Sequence, residues 1–163
     1  MRKGYNPQKD KVGKTEQFFH QVVVPVYIPN EEGYFKDSLS ILKNCLESLL
    51  KSSHTKTFFT IVNNGSSKKV ATYLASLLSE NKIHELIHTT HIGKVNAVFK
   101  GLAGHSFPLV TITDADVLFI NKWQKATYQV FGEFPKTGCV SPSPIPKLLK
   151  YHTSGPIMGN LFS

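Results

Sequence analysis

Cysteine is scarce in this chain: there are two in 163 residues, Cys45 and Cys139, far apart and in no CxxC pattern. That argues against a disulfide-stapled scaffold and a cysteine-built zinc ribbon, and makes reduced thiols in a cytosolic protein the expectation. Acidic residues are also few, 11 Asp and Glu against 19 Lys and Arg, which leaves a formal net charge of +8. An anionic partner is the natural complement, whether a nucleotide, a nucleic acid or an acidic membrane surface, and charge alone does not choose among them. The start of the chain has no apolar h-region, and no apolar run is long enough to span a bilayer. Internal repeats and low-complexity blocks are absent too.

What is present is an ordinary globular composition, 40% hydrophobic, enough for one domain with a real core. Residues 1–17 are polar, basic and without apolar periodicity, and read as a flexible arm; residues 18–163 read as the domain. Strands and helices alternate along it. QVVVPVY (21–27) is a Val-rich run suited to a strand buried on both faces. In SLSILKNCLESLLKSS the residues Leu39, Leu42, Leu46, Leu49 and Leu50 form one helical stripe, with Asp37 or Ser38 as its cap. FFTIV (58–62) is a second strand, and NNGSS leads into a helix with Val70, Leu74, Leu77 and Leu78 inward and Ser66 or Ser67 as cap. Residues 83–90 read as a third strand, Lys94 to Leu102 as a short helix and FPLVTIT as a fourth strand. WQKATYQVF reads as a further helix, and GCVSP as a fifth strand before a Pro-rich end. This order implies an α/β fold: a mainly parallel sheet with right-handed crossovers and helices on both faces.

The stretch LVTITDADVLF, 109–119, places Asp114 and Asp116 directly after a β-branched apolar run. Two like charges so close to a core require a compensating cation or donors: a bound metal, a nearby Lys, or water. In open α/β sheets ligands bind outside the carboxyl ends of the strands. The segments PVYIPNEE, NNGSS, HIGK and TDAD all follow strands at that edge. Lys94 brings a positive charge there, the Gly-Ser turn lets backbone approach a ligand, and the two carboxylates can hold Mg or Mn against a diphosphate. HELIH, 84–88, matches the HExxH zinc pattern, but the surrounding Ile and Thr residues favour a strand. At strand rise its two His stand ~13 Å apart, too far to share one ion.

The ordered set of PVY, VNNGS, GKVNAV and TDADV over residues 21 to 143 resembles the nucleotide-sugar-binding half of the family 2 glycosyltransferases, with their GT-A (Rossmann-like) fold. The resemblance implies that Pro25 and Tyr27 flank a nucleobase and that Asn64 bonds its edge. It places Glu31, or Glu32 beside it in a longer loop, against the nucleoside. Lys94 falls near the diphosphate, Asp114 near ribose and metal, and Asp116 becomes the direct ligand of Mg2+ or Mn2+. The donor would be a UDP- or GDP-linked sugar, and the acceptor a saccharide or lipid-linked group.

Two departures from the family pattern stand out. Asn63-Asn64-Gly65-Ser66 replaces the usual Asp-Asp-Gly-Ser, removing two negative charges. Downstream of Asp116 the only acidic residue is Glu133, at the end of a helix, where the family supplies a carboxylate base for inverting attack. The catalytic base is therefore expected outside this chain, which reads as a truncated or non-catalytic glycosyltransferase domain. A nucleotide-sugar-binding module without turnover and a basic nucleic-acid-binding domain are the other classes considered. The site is expected to be cytosolic, with the arm and Lys147 and Lys150 available for peripheral contact with anionic lipid.

Overall fold

The computed structural model describes residues 18–141. The basic arm expected at residues 1–17 lies outside that range, as do Lys147 and Lys150. The chain divides into two compact units, Met1–Gln124 and Lys125–Ser163, a boundary that composition does not mark.

The first unit runs β1 (His20–Val26), α1 (Ser38–Ser52), β2 (Thr57–Asn64), α2 (Lys68–Ser79), β3 (Glu85–Thr89), α3 (Lys94–Leu102) and β4 (Leu109–Ile112), and then enters α4 (Trp123–Glu133). The four strands form one parallel sheet in the order β3-β2-β1-β4. This is the expected α/β architecture, with helices on both faces. Alternate residues of β1 divide between the two sides. Val22, Val24 and Val26 join Leu42, Leu46 and Leu49 of α1 and Val70, Leu74 and Leu77 of α2 in the larger core. Val23 joins Val62 and Ala97 of α3 in a smaller core on the opposite face. Fully burying a Leu or Val side chain contributes about 1.5–3 kcal/mol, so the Val run and the two Leu stripes supply much of what holds the sheet.

The third strand gives one apolar side chain to each core, Leu86 and Ile87, and polar pairing with β2 does the rest. Register pairs Thr60 with Glu85, Asn63 with His88 and Asn64 with Thr89. Each pair is also joined through its side chains, Thr60 Oγ1 donating to Glu85 Oε2 at 2.9 Å, Asn63 Nδ2 to His88 Nδ1 at 3.0 Å and Thr89 Oγ1 to Asn64 Oδ1 at 3.0 Å. These polar rungs carry β2 two residues beyond the expected FFTIV, through Asn63 and Asn64. HELIH accordingly lies along the β3 edge, with His84 accepting the Phe59 N–H at 3.0 Å and His88 bonded to Asn63.

Several expectations are corrected. No strand forms at residues 138–141; Pro142, the last residue of GCVSP, lies outside the described range. A turn closed by Thr137 N–H on Phe134 O at 2.9 Å precedes this segment, and Cys139 and Val140 alone make too short an apolar run between Gly138 and Pro142 to hold a ladder. Neither expected helix cap bonds through its side chain: Asp37 and Ser67 occupy the N-cap positions without a side-chain cap bond. Ser66 instead ties two loops together, accepting the Ile28 N–H at 3.0 Å and donating to Val26 O at 3.2 Å.

In the second unit, the described residues comprise the remainder of α4 and the segment to Ser141. There Gln129 Nε2 donates to Glu133 Oε1 at 2.7 Å, one helical turn away.

Candidate functional site

The sheet order places the change of winding direction between β1 and β4, and Pro25 helps to open a crevice there. The last backbone bond on that side is Thr113 N–H to Val23 O, at 3.2 Å. The next donor along β1 on the same edge would be residue 25. Proline has no N–H, so the β1–β4 ladder stops without leaving an orphaned donor, and the strands part at their carboxyl ends.

A cleft of about 540 Å³ occupies this position. Pro25 comes from the end of β1 and Tyr27 from just after it, Asn64 from the end of β2, His91 from the β3–α3 connection, Lys94 from the start of α3, and Asp114 and Asp116 from the loop after β4. Six of the seven residues expected at the site are thus brought together. The seventh is not. Glu31 is paired with Lys69 at 2.8 Å, away from the cleft lining, because Asn30 Oδ1 accepts the Glu32 N–H at 3.0 Å and turns the loop. A 3₁₀ turn over Gly33–Phe35 follows. Tyr34 and Phe35 from that turn line the cleft where a carboxylate was expected.

Each loop is held from behind. Between the two aspartates, Ala115 packs against the larger core while Asp114 and Asp116 stay exposed. The alternation of the preceding strand carries into the loop. Cys45 Sγ donates to Asp114 O at 3.7 Å, and Phe119 N–H donates to Ser48 Oγ on α1 at 3.0 Å. Burial pushes the Cys45 thiol up to about 11, and the Asp116 and Asp114 carboxylates add to that shift. It stays a protonated packing group and offers no thiolate.

The Asn63-Asn64-Gly65-Ser66 turn is locked in the same manner. Asn63 Oδ1 accepts the Ser66 N–H at 3.0 Å. Gly65 has φ +83°, and a Cβ there would lie 2.9 Å from the backbone nitrogen of His91. Only glycine lets the two loops touch. Asn64 Oδ1 also accepts the Ile92 N–H at 3.0 Å.

The cleft lining carries two chemically different groups of side chains. In one, the Tyr27 and His91 rings stack 4.0 Å apart and 9° from parallel, with Phe35 edge-on to Tyr27 at 6.0 Å. In the other, Lys94 Nζ contacts Asp114 Oδ1 and Asp116 stands two residues on. Lys94 thus compensates one of the carboxylates, through an exposed pair of the kind worth about 0–1 kcal/mol. No described cluster of three or more His, Cys, Asp or Glu could hold a metal by itself. The all-oxygen donor set of Asp114 and Asp116 nonetheless suits Mg or Mn, which commonly use one or two carboxylates and take their other ligands from water and phosphate.

His91, Tyr34 and Phe35 were not anticipated as site residues. His91 had a signal, since it lies three residues before Lys94 in a segment already placed at the ligand edge. The two aromatics had none, because their placement depends on how the loop folds after Asn30.

The family model described as glycosyl transferase family 2 matches residues 21–156. Among solved structures, the chain is similar to S. aureus TarS 1-349, with TM-score 0.56 and 18% identity, covering 77% of this chain and 39% of that one. It is similar to the same TarS fragment in complex with UDP, with TM-score 0.57 and 19% identity, covering 77% and 38%. These likenesses show the fold, and the chain spans about two fifths of the length of those fragments. No curated protein matches it.

Proposed function

The chain belongs to glycosyl transferase family 2, and from that premise we propose that its cleft binds the nucleoside diphosphate of a sugar donor together with Mg2+ or Mn2+, for transfer of the sugar to a saccharide or lipid-linked acceptor. The observation that carries this reading is the convergence of four segments on one cleft whose lining holds both aromatic and charged side chains. The flat Tyr27–His91 pair and Pro25 suit a base. Lys94 suits a diphosphate oxygen, releasing Asp114 as it turns to the ligand. Asp114 and Asp116 would hold the cation, which would supply charge neutralisation for the departing diphosphate. The UDP bound by the similar TarS fragment supports the same ligand class.

The test is calorimetry with UDP and GDP, each with Mn2+ and with chelator. Binding is expected only with the metal, because without it the two carboxylates repel the diphosphate. Equal affinity in chelator would overturn the role of the metal. Asp116→Ala should abolish metal-dependent binding and Asp114→Ala weaken it. The reverse order would exchange the two assignments.

Peripheral attachment belongs to the same proposal. Among the described residues, no helix is long and apolar enough to cross a membrane. The Lys and Arg of residues 1–14 would hold a cytosolic site against anionic lipid, each charge near the surface contributing on the order of 1 kcal/mol. Co-sedimentation with phosphatidylserine vesicles should weaken in a chain beginning at Gln17, and unchanged binding would dismiss the arm.

A further inference from the structure

Asn64 is 2% exposed, and its amide can face only one way. The Ile92 N–H is a pure donor, so the atom 3.0 Å from it must be the Asn64 oxygen, which also accepts from Thr89 Oγ1 at 3.0 Å. A flip would set the amide NH2 against a backbone N–H. The Nδ2 group has no acceptor among the described residues and, unlike Ser67 Oγ, is not wholly cut off from solvent. Asn64 lines the cleft together with the Tyr27–His91 stack. What it can offer a ligand is therefore a donor. The neighbouring amide is fixed in the same sense, Asn63 Oδ1 holding the Ser66 N–H and Nδ2 donating to His88 Nδ1, and so offers no compensating acceptor.

We infer that Asn64 sets the base preference of the site as a hydrogen-bond donor, so that the cleft takes cytosine at least as well as uracil. The inference rests on the reading of the cleft as a nucleoside diphosphate site. Cytosine N3 is a bare acceptor, whereas uracil N3 and guanine N1 carry hydrogen. A carboxylate at position 64 could accept the Ile92 N–H with one oxygen and a base N–H with the other. The amide cannot, and meeting an N–H would leave two buried donors facing each other, so uracil would have to present a carbonyl oxygen to it instead. Sites built around one hydrogen-bond polarity discriminate strongly against the opposite one.

The experiment measures the affinities of CDP, UDP and GDP for the whole chain with Mn2+, in the wild type and in Asn64→Asp. In the wild type CDP is expected to bind as tightly as UDP or more tightly. In Asn64→Asp the CDP-to-UDP ratio of dissociation constants should rise by about tenfold or more, the loss expected when one buried hydrogen bond changes polarity. Wild-type binding of UDP about tenfold tighter than CDP would overturn the inference while leaving the nucleotide site intact. It does so without recourse to the variant, whose folding is checked by its melting curve. A folded Asn64→Asp chain with an unchanged ratio would overturn it too. Failure of every nucleoside diphosphate to bind would overturn both the inference and the proposed function.

Discussion

His20 opens β1 at 2% exposure and is a buried titratable group. Its Nε2 lies 2.7 Å from Thr111 Oγ1 and its Nδ1 3.1 Å from Gln124 Nε2, an amide that also donates to Thr57 Oγ1 at 3.0 Å. Gln124 Oε1 accepts the His54 N–H at 2.6 Å, so β1, β2, β4 and the start of α4 meet at one knot of neutral polar groups. Burial lowers the His20 pKa from 6.5 to about 4. As pH falls, the unfolded chain takes up this proton first. The neutral imidazole's contribution is therefore complete above pH 6.5 and drains away as pH falls towards about 4, a loss on the order of 3 kcal/mol. Urea midpoints measured across that range should fall with pH in the wild type and fall less steeply in His20→Gln; parallel slopes would remove His20 as the cause.

At the level of elements, α3 depends on a missing side chain. A Cβ at Gly101 would lie 2.6 Å from Val23 Cγ1 and 3.0 Å from Val62 Cγ2, both side chains of the sheet core. Gly101 O also accepts from Gln21 Nε2 at 2.8 Å. Gly101→Ala would gain about 1 kcal/mol of helix propensity, but overpacking costs about 1–3 kcal/mol, and a lower melting temperature is the expected outcome. Gly132, in α4, has nothing among the described residues within 4 Å of its would-be Cβ, so Gly132→Ala should be neutral or stabilising and serves as the control. A rise in melting temperature for both would mean that α3 sits farther from the sheet. The same scale explains what could be read in advance. Val22 to Val26 and most of the Leu stripes of α1 and α2 were legible because one residue type at one spacing decides burial, although Leu78, expected inward on α2, is 38% exposed. β3 was faint because side-chain bonds to Thr60, Asn63 and Asn64 stabilise it, and such partners have no signature in their own segment. Asp114, Asp116, Lys94 and Asn64 could be placed at the ligand edge because the polar segments that carry them lie at the carboxyl ends of strands. Glu31 could not, since the bond from Glu32 N–H to Asn30 Oδ1 and the pairing with Lys69 determine where that loop goes.

For the whole molecule, the question is whether donor binding and sugar transfer reside in the same 163 residues. Transfer needs a base within hydrogen-bond reach of the acceptor hydroxyl, and general base catalysis contributes typically about 10²–10⁴-fold. Among the described residues, the carboxylates lining the cleft are Asp114 and Asp116, both assigned to the cation in the proposed function. Glu133 bonds Gln129 on its own helix at 2.7 Å, and Glu31 is paired with Lys69. His91 remains in the cleft, but its ring is committed to the stack with Tyr27. The isolated chain is therefore expected to bind donor without acceptor-dependent transfer, leaving slow hydrolysis by water. Release of free nucleotide from UDP-, GDP- and CDP-sugars, with and without saccharide or lipid acceptors, measures this. Acceptor-dependent turnover lost in Glu133→Gln would show that Glu133 serves as the base, and turnover lost instead in His91→Phe would assign that role to the imidazole. Turnover that no acceptor stimulates would leave the chain with donor binding and slow hydrolysis alone, as expected.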